Sequence, residues 1–212
     1  MDGLLLGSER QIYVHSGLLA SQKVGRPLSM DFLTRRMGGS WITYEEKLKE
    51  EYGEDYPVKE YWEEYWKIAN EIIENKAIDL RPGAKKLLDF CKKEGIPMAI
   101  ASSSSHHVID RCLSNAKIIG YFDCLVSAQD VRYPKPDPEI FLKALSHFSL
   151  PAAEAIIFED GHNGAQAAIR CGCRFILGED LAYLSEEDKE KAVMVVDDIS
   201  KAIPYLKQEK DR

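Results

Sequence analysis

The sequence holds no apolar run near the roughly 20 residues that a membrane-spanning helix needs. Its beginning shows no basic segment followed by an apolar stretch, the pattern of a secretory leader. Both absences predict a cytoplasmic protein with no membrane partner. Basic excess is also missing: 28 Lys and Arg stand against 35 Asp and Glu, a net charge of −7. That balance speaks against general nucleic-acid binding, which needs a basic face, but leaves room for a local anion pocket. Cysteine is sparse and odd in number, five in 212 residues, which predicts reduced thiols rather than a disulfide framework. Cys171 and Cys173 stand too close together and too isolated for a zinc half-site, and read as small buried residues. There is no internal repeat, and Ser102 to Ser105 is the only low-complexity patch. What is present, 45% apolar and 30% charged residues, is the composition of a folded globular chain.

The second half alternates short apolar runs with amphipathic stretches. Strands are predicted over Pro97–Ala101, Phe122–Ser127, Ala155–Phe158, Arg174–Leu177 and Val193–Val196. Helices are predicted over Ser105–Lys117, Pro138–Phe148, Asn163–Cys171 and Ile199–Leu206. Such alternation implies a parallel sheet covered on both faces, with ligands at the carboxyl ends of its strands. The stretch from Gln11 to Asp79 differs. It is rich in Glu, Lys, Tyr and Trp, and it has helical periodicity without a strand signal. Tyr61, Tyr65 and Ile68, flanked by Trp62, Trp66 and Ala69, form a wide apolar helix face. Gly38 and Gly39, and the segment Gly53 to Pro57, read as inter-helix turns. The aromatic positions read as core, and the Glu/Lys runs as solvated surface.

Four segments fall at or just beyond strand ends: Asp2 and Gly3 at the start, Ser102, Lys135 between two prolines, and the pair Glu159 and Asp160. Taken singly, each has a plain structural reading. Asp-Gly makes turns, a serine caps a helix, a loop lysine is solvated, and acidic pairs are common.

In this order, with a helical insertion after the first, the segments resemble the haloacid dehalogenase-like hydrolases, in the branch of β-phosphoglucomutases and small sugar-phosphate phosphatases. The resemblance covers nearly the whole chain. It implies an α/β fold, a Rossmann-like parallel sheet core formed by residues 1–9 and 80–212, carrying an inserted all-helical cap of residues 10–79. It implies a Mg²⁺-dependent phosphoric monoester hydrolase acting on a small phosphorylated metabolite through an aspartyl-phosphate. A phosphate monoester dianion repels a carboxylate nucleophile, so the site must cancel charge and align the groups. By resemblance Glu159 and Asp160, with the Asp2 carbonyl, hold Mg²⁺. Lys135 neutralises the phosphoryl oxygens, Ser102 donates to the transferring group, and Asp2 is the acid/base. Ser103 and Trp41 are expected to contact substrate. Arg35 and Arg36 are further cap candidates, with helix surface and cap core as the competing reading. The acidic pair argues against true dehalogenases, whose displacement at carbon uses no Mg²⁺. His106, His107 and His162 are read as helix N-terminal or loop residues.

The family nucleophile is an aspartate two residues before the acid/base, on the central strand, and that position precedes Met1. We expect either that a short strand is missing through a start assigned at an internal methionine or that the chain is a remnant without hydrolytic function. As it stands, the polypeptide is expected not to turn over. Gly7 stands where many relatives carry Asp, and Gly161 where Ser is common. Mutases carry a histidine ten positions after the acid/base, where Ile12 stands here. They also carry an arginine after a Gly-x-Ser in the cap; here Gly39 and Ser40 are followed by Trp41. Both departures favour a phosphatase. The alternatives are a phosphosugar mutase and a catalytically inactive binding protein on the same scaffold. A monomer is expected.

Overall fold

Apolar side chains at Tyr61, Tyr65, Ile68, Ala69, Ile72 and Ile73 recur at three- and four-residue intervals, and all six are buried along one face of a single helix. The computed structural model of the protein describes residues 1–35 and 41–210, without the side chains of Arg35, Trp41, Ile42 and Thr43. That helix is α4 (Val58–Asn75). A π turn (Glu9–Val14) runs directly into α1 (His15–Lys23), followed by α2 (Met30–Arg35) and α3 (Trp41–Tyr52). No strand occurs among the described residues between Glu9 and Asn75. This region packs on aromatic rings: Phe32 meets Tyr44 and Tyr52 edge-on at 5.4 and 5.2 Å, and Tyr44 stacks on Tyr61 at 6.3 Å. The hydroxyls of Tyr44 and Tyr61 share a hydrogen bond of 2.9 Å, satisfying polar tips that burial would otherwise strand. The Gly53 to Pro57 turn lies between α3 and α4, as expected. Gly38, Gly39 and Arg36 lie outside the described residues.

The remainder alternates helix and strand: α5 (Ala84–Glu94), β1 (Ala99–Ala101), α6 (His106–Asn115), β2 (Cys124–Val126), α7 (Glu139–Phe148), β3 (Ile156–Glu159), α8 (His162–Cys171), β4 (Arg174–Gly178), α9 (Glu186–Lys191), β5 (Met194–Val196) and α10 (Ile203–Lys210). All strand pairs are parallel. The protein is thus an α/β fold with a Rossmann-like core and a helical cap region. The expected single sheet is divided. β1 pairs with β2, and β3, β4 and β5 form a second sheet, with no ladder joining β1 to β3 among the described residues.

Residues 1–7 supply the reason for that division. They form a tight turn with two isolated bridges, Asp2 to Leu6 and Leu6 to Leu80, instead of a strand. Leu4, Leu5 and Leu6 are buried all the same. Asp2 reaches the loop after β1, and Gly3 faces Asp160 after β3. The segments before and after the helical region run side by side. Gly7 N–H donates to Asp79 O at 2.9 Å, and the Gln11 amide both donates to the Asp79 carboxylate at 2.6 Å and accepts from its N–H at 2.8 Å.

Candidate active site

The loop after β1 sets the first group. Ser102 is buried, its N–H donates to Val126 O at 3.0 Å, and its hydroxyl accepts from Ser104 N–H at 3.2 Å. Ser103 is exposed beside it. Ser105 caps α6 by accepting from Val108 N–H, which fixes the serine run at the strand end. Ser104, not singled out by sequence, is the serine that reaches across: its hydroxyl donates to Asp2 Oδ2 at 3.0 Å. Ser8 donates to Asp2 Oδ1 at 2.5 Å. Both oxygens of Asp2 are therefore held from opposite sides.

Lys135 joins the two sheets. Its ammonium donates to Ala101 O at the end of β1 (3.0 Å) and to Glu159 Oε1 at the end of β3 (2.5 Å). Both side chains of this ion pair are about nine-tenths buried, at 10% and 11% exposure. Glu159 also backs onto Gly164, where a Cβ would lie 2.2 Å from its carboxylate. Consecutive residues at a strand end point to opposite faces, and Asp160 accordingly turns the other way, toward Gly3. The structure brings Asp2, Ser102, Lys135, Glu159 and Asp160 to one end of the core. Glu159 is engaged by Lys135, and the Asp160 N–H approaches Glu159 Oε2 at 3.3 Å. Trp41 opens α3, but its side chain lies outside the described residues, as does that of Arg35.

A further carboxylate enters here that the sequence reading passed over. Glu9 is 6% exposed, and its Oε2 has no hydrogen-bond partner. Gly3, at φ 65°, is the point where it meets Asp160. A Cβ there would lie 2.0 Å from Asp160 Oδ2 and 3.0 Å from Glu9 Oε2, so only glycine fits between the two carboxylates. Burial, then the charges of Asp180 and Asp2, push the Glu9 carboxyl up to about 7. Burial and the neighbouring Glu159 hold the Asp160 carboxyl well above the ordinary range. Among the described residues no three His, Cys, Asp or Glu side chains already close on one point. The donor set is nonetheless all hard oxygen with surplus buried negative charge and one oxygen lacking a partner, the environment that a hard divalent cation such as Mg²⁺ relieves.

The loop after β4 seals the flank. The Asp180 side chain is 1% exposed and is held by both Arg10 and Arg81, the latter at 2.5 Å. His162, following Asp160 and Gly161, pairs through Nδ1 with buried Asp188 at 2.6 Å, pinning α9 beside the site. His106 pairs with Asp130 and His107 with Glu74, both at the start of α6.

A parallel α/β core with acidic and cationic groups gathered at its strand ends defines the class, and comparison with known proteins supplies the family. The chain belongs to the haloacid dehalogenase-like hydrolases, whose family model matches residues 1–177. It is 28% identical over 183 residues to a phosphorylated carbohydrates phosphatase of Thermotoga maritima, covering 84% of this chain and 82% of that protein. It is 29% identical over 204 residues to a Drosophila melanogaster protein named "Probable pseudouridine-5'-phosphatase", covering 92% and 86%. Its fold matches the crystal structure of CbbY from Rhodobacter sphaeroides in complex with phosphate, with a TM-score of 0.74 at 19% identity over 95% and 93% of the two chains. No described helix is long and apolar enough to cross a membrane.

Proposed function

We propose that this protein is a Mg²⁺-dependent phosphatase of a small phosphorylated metabolite, a sugar phosphate by analogy with the phosphorylated carbohydrates phosphatase. One observation carries the reading: Lys135 ties the ends of β1 and β3 together beside an Asp2 whose two oxygens are both fixed by serines. This reading divides the chain into a core of residues 1–9 and 80–212 and a cap of residues 10–79, with the paired segments around Gly7 and Asp79 as the crossing.

In this site Asp2 protonates the leaving alcohol and then takes a proton from the attacking water. The Lys135 ammonium, at the shared end of the two sheets, neutralises charge on the phosphoryl oxygens. Ser102 and the exposed Ser103 orient the transferring group. Asp160, the Asp2 carbonyl and Glu159 are the groups that would hold Mg²⁺, with Glu9 facing the same glycine; the ion supplies charge neutralisation for a dianionic ester. The covalent aspartyl-phosphate of this reading belongs on a strand filling the break between β1 and β3. That break favours one competing reading, a phosphate-ester binding protein without turnover.

Metal affinity tests the proposal without needing turnover. Titration calorimetry with Mg²⁺ should show binding that Asp160→Asn weakens about tenfold or more. Unchanged affinity in that variant contradicts the assignment.

A further inference from the structure

A buried carboxylate oxygen without a partner costs stability unless a ligand supplies the missing charge or hydrogen bond. Glu9 carries such an oxygen: the residue is 6% exposed, and its Oε2 has no partner. Its neighbours in sequence anchor it on both sides. Ser8 donates to Asp2 Oδ1 at 2.5 Å, and Arg10 pairs with Asp180. The Glu9 carboxylate is therefore held at the start of the turn that leads into α1, and its place is not that of a free surface acid.

Across Gly3 from Glu9 stands Asp160. A Cβ on Gly3 would lie 2.0 Å from Asp160 Oδ2 and 3.0 Å from Glu9 Oε2, so the two oxygens are no farther apart than those two distances combined. Two carboxylate oxygens thus converge on one small volume, which glycine alone leaves open. The cationic side chains around it are committed elsewhere. Arg10 and Arg81 grip Asp180, and Lys135 spans Ala101 O and Glu159. The Met1 ammonium acts on Glu9 and Asp160 electrostatically, but it sets one positive charge against the carboxylates of Asp2, Glu9 and Asp160. Glu159, the other acid beside Asp160, already shares its Oε1 with Lys135. Glu9 brings an oxygen that no other group claims.

We propose that Glu9 is a direct ligand of the divalent cation, its Oε2 joining Asp160 Oδ2 across Gly3. The proposal rests on the assignment of Mg²⁺ to Asp160 and adds a carboxylate from the segment that enters the helical region. Hard oxygen donors of this kind suit Mg²⁺. Ligation makes a demand that charge alone does not: the oxygen must reach the ion. Aspartate at position 9 would keep the charge but shorten the reach by one methylene.

Titration calorimetry of the 212-residue protein with Mg²⁺ separates the two, and it needs no turnover. Glu9→Gln removes the charge with little change of shape, and Glu9→Asp keeps the charge and withdraws the oxygen. Both should weaken Mg²⁺ binding about tenfold or more. Full affinity in Glu9→Asp would show that Glu9 acts through charge only and would overturn ligation. Full affinity in Glu9→Gln would overturn any part for Glu9 at the cation. If Asp160→Asn weakens binding while both Glu9 variants match the unsubstituted protein, the loss strikes Glu9 alone and the assignment of Asp160 stands. If the unsubstituted protein binds no Mg²⁺, that assignment fails and takes this proposal with it.

Discussion

The helical region and the α/β region face the same requirement, burying apolar surface without stranding polar groups, and they meet it differently. The helical region closes on itself through a chain of rings from Phe32 to Tyr65, with the Tyr44 and Tyr61 hydroxyls paired inside it. The α/β region leaves its sheet in two pieces and bridges them with charge, the Lys135 ammonium reaching Ala101 O on one and Glu159 on the other. The contrast teaches where stability and chemistry reside. Rings packed in a core give a rigid platform, while buried charge at strand ends costs stability and is retained where it can act on a ligand.

The comparison breaks most readily in the helical region. Tyr61→Ala removes a fully buried ring and leaves the Tyr44 hydroxyl without its partner, and should cost about 3–5 kcal/mol in denaturant unfolding. A loss under about 1 kcal/mol would mean that the ring cluster is not the platform described.

Next comes the bridge between the sheets. Lys135→Met leaves Glu159 buried without its counter-ion and should cost about 3 kcal/mol, with Glu159→Gln in the same background recovering much of it. Urea unfolding of the single and double variants makes the check, and no recovery in the double variant would show that the ion pair does not join the sheets.

Glu9 sharpens the electrostatic side. Its carboxyl ordinarily titrates at 4.5 and is pushed up to about 7 in the fold. The folded protein keeps a proton that the unfolded chain releases between those values. The Glu9 contribution is thus fully present below pH 4.5 and is lost as pH rises to about 7, a span of roughly 3 kcal/mol. Melting temperatures from pH 4 to 8, without divalent cations, should fall more steeply for the unsubstituted protein than for Glu9→Gln. Parallel curves for the two would remove Glu9 from the acidic cluster.

The smallest effect is steric. Gly17 of α1 is buried, and a Cβ there would lie 2.7 Å from Leu33 Cδ2 and 3.1 Å from the Tyr61 hydroxyl. Gly17→Ala gains helix propensity but overpacks the ring cluster, for a net loss of about 1 kcal/mol in the same unfolding assay.

Much of this was legible in the sequence because burial imposes a pattern. Each strand of the α/β region appears as an apolar run, and the α4 face follows from the Tyr61, Tyr65 and Ile68 spacing. α5 escaped notice because Lys85, Lys86, Lys92 and Lys93 surround only three large buried side chains, Leu87, Leu88 and Cys91. α9 is short and polar, although the Ser185 and Asp188 capping box marks its start. The strand-end residues Ser102, Lys135 and Asp160 were readable by position. Ser104 was not, since one serine in a run of four carries no signal of which hydroxyl crosses the cleft. Glu9 did leave a trace, a lone acid between Ser8 and a helix that buries Ile12 and Val14.

The central claim is that phosphate-ester chemistry takes place where the split sheet brings Asp2, Lys135 and Asp160 together. Release of inorganic phosphate from sugar phosphates in the presence of Mg²⁺ tests it most directly. On the proposed reading the 212-residue chain should release none, because Asp2 is assigned the acid/base role and Glu159 and Asp160, at the end of β3, are assigned to the metal. Supplying an apolar strand with Asp two positions before Asp2 should produce turnover and raise the melting temperature together, since the same residues join the sheets and provide the attacking carboxylate. Hydrolysis by the 212-residue chain at the rate of the extended form would contradict the account.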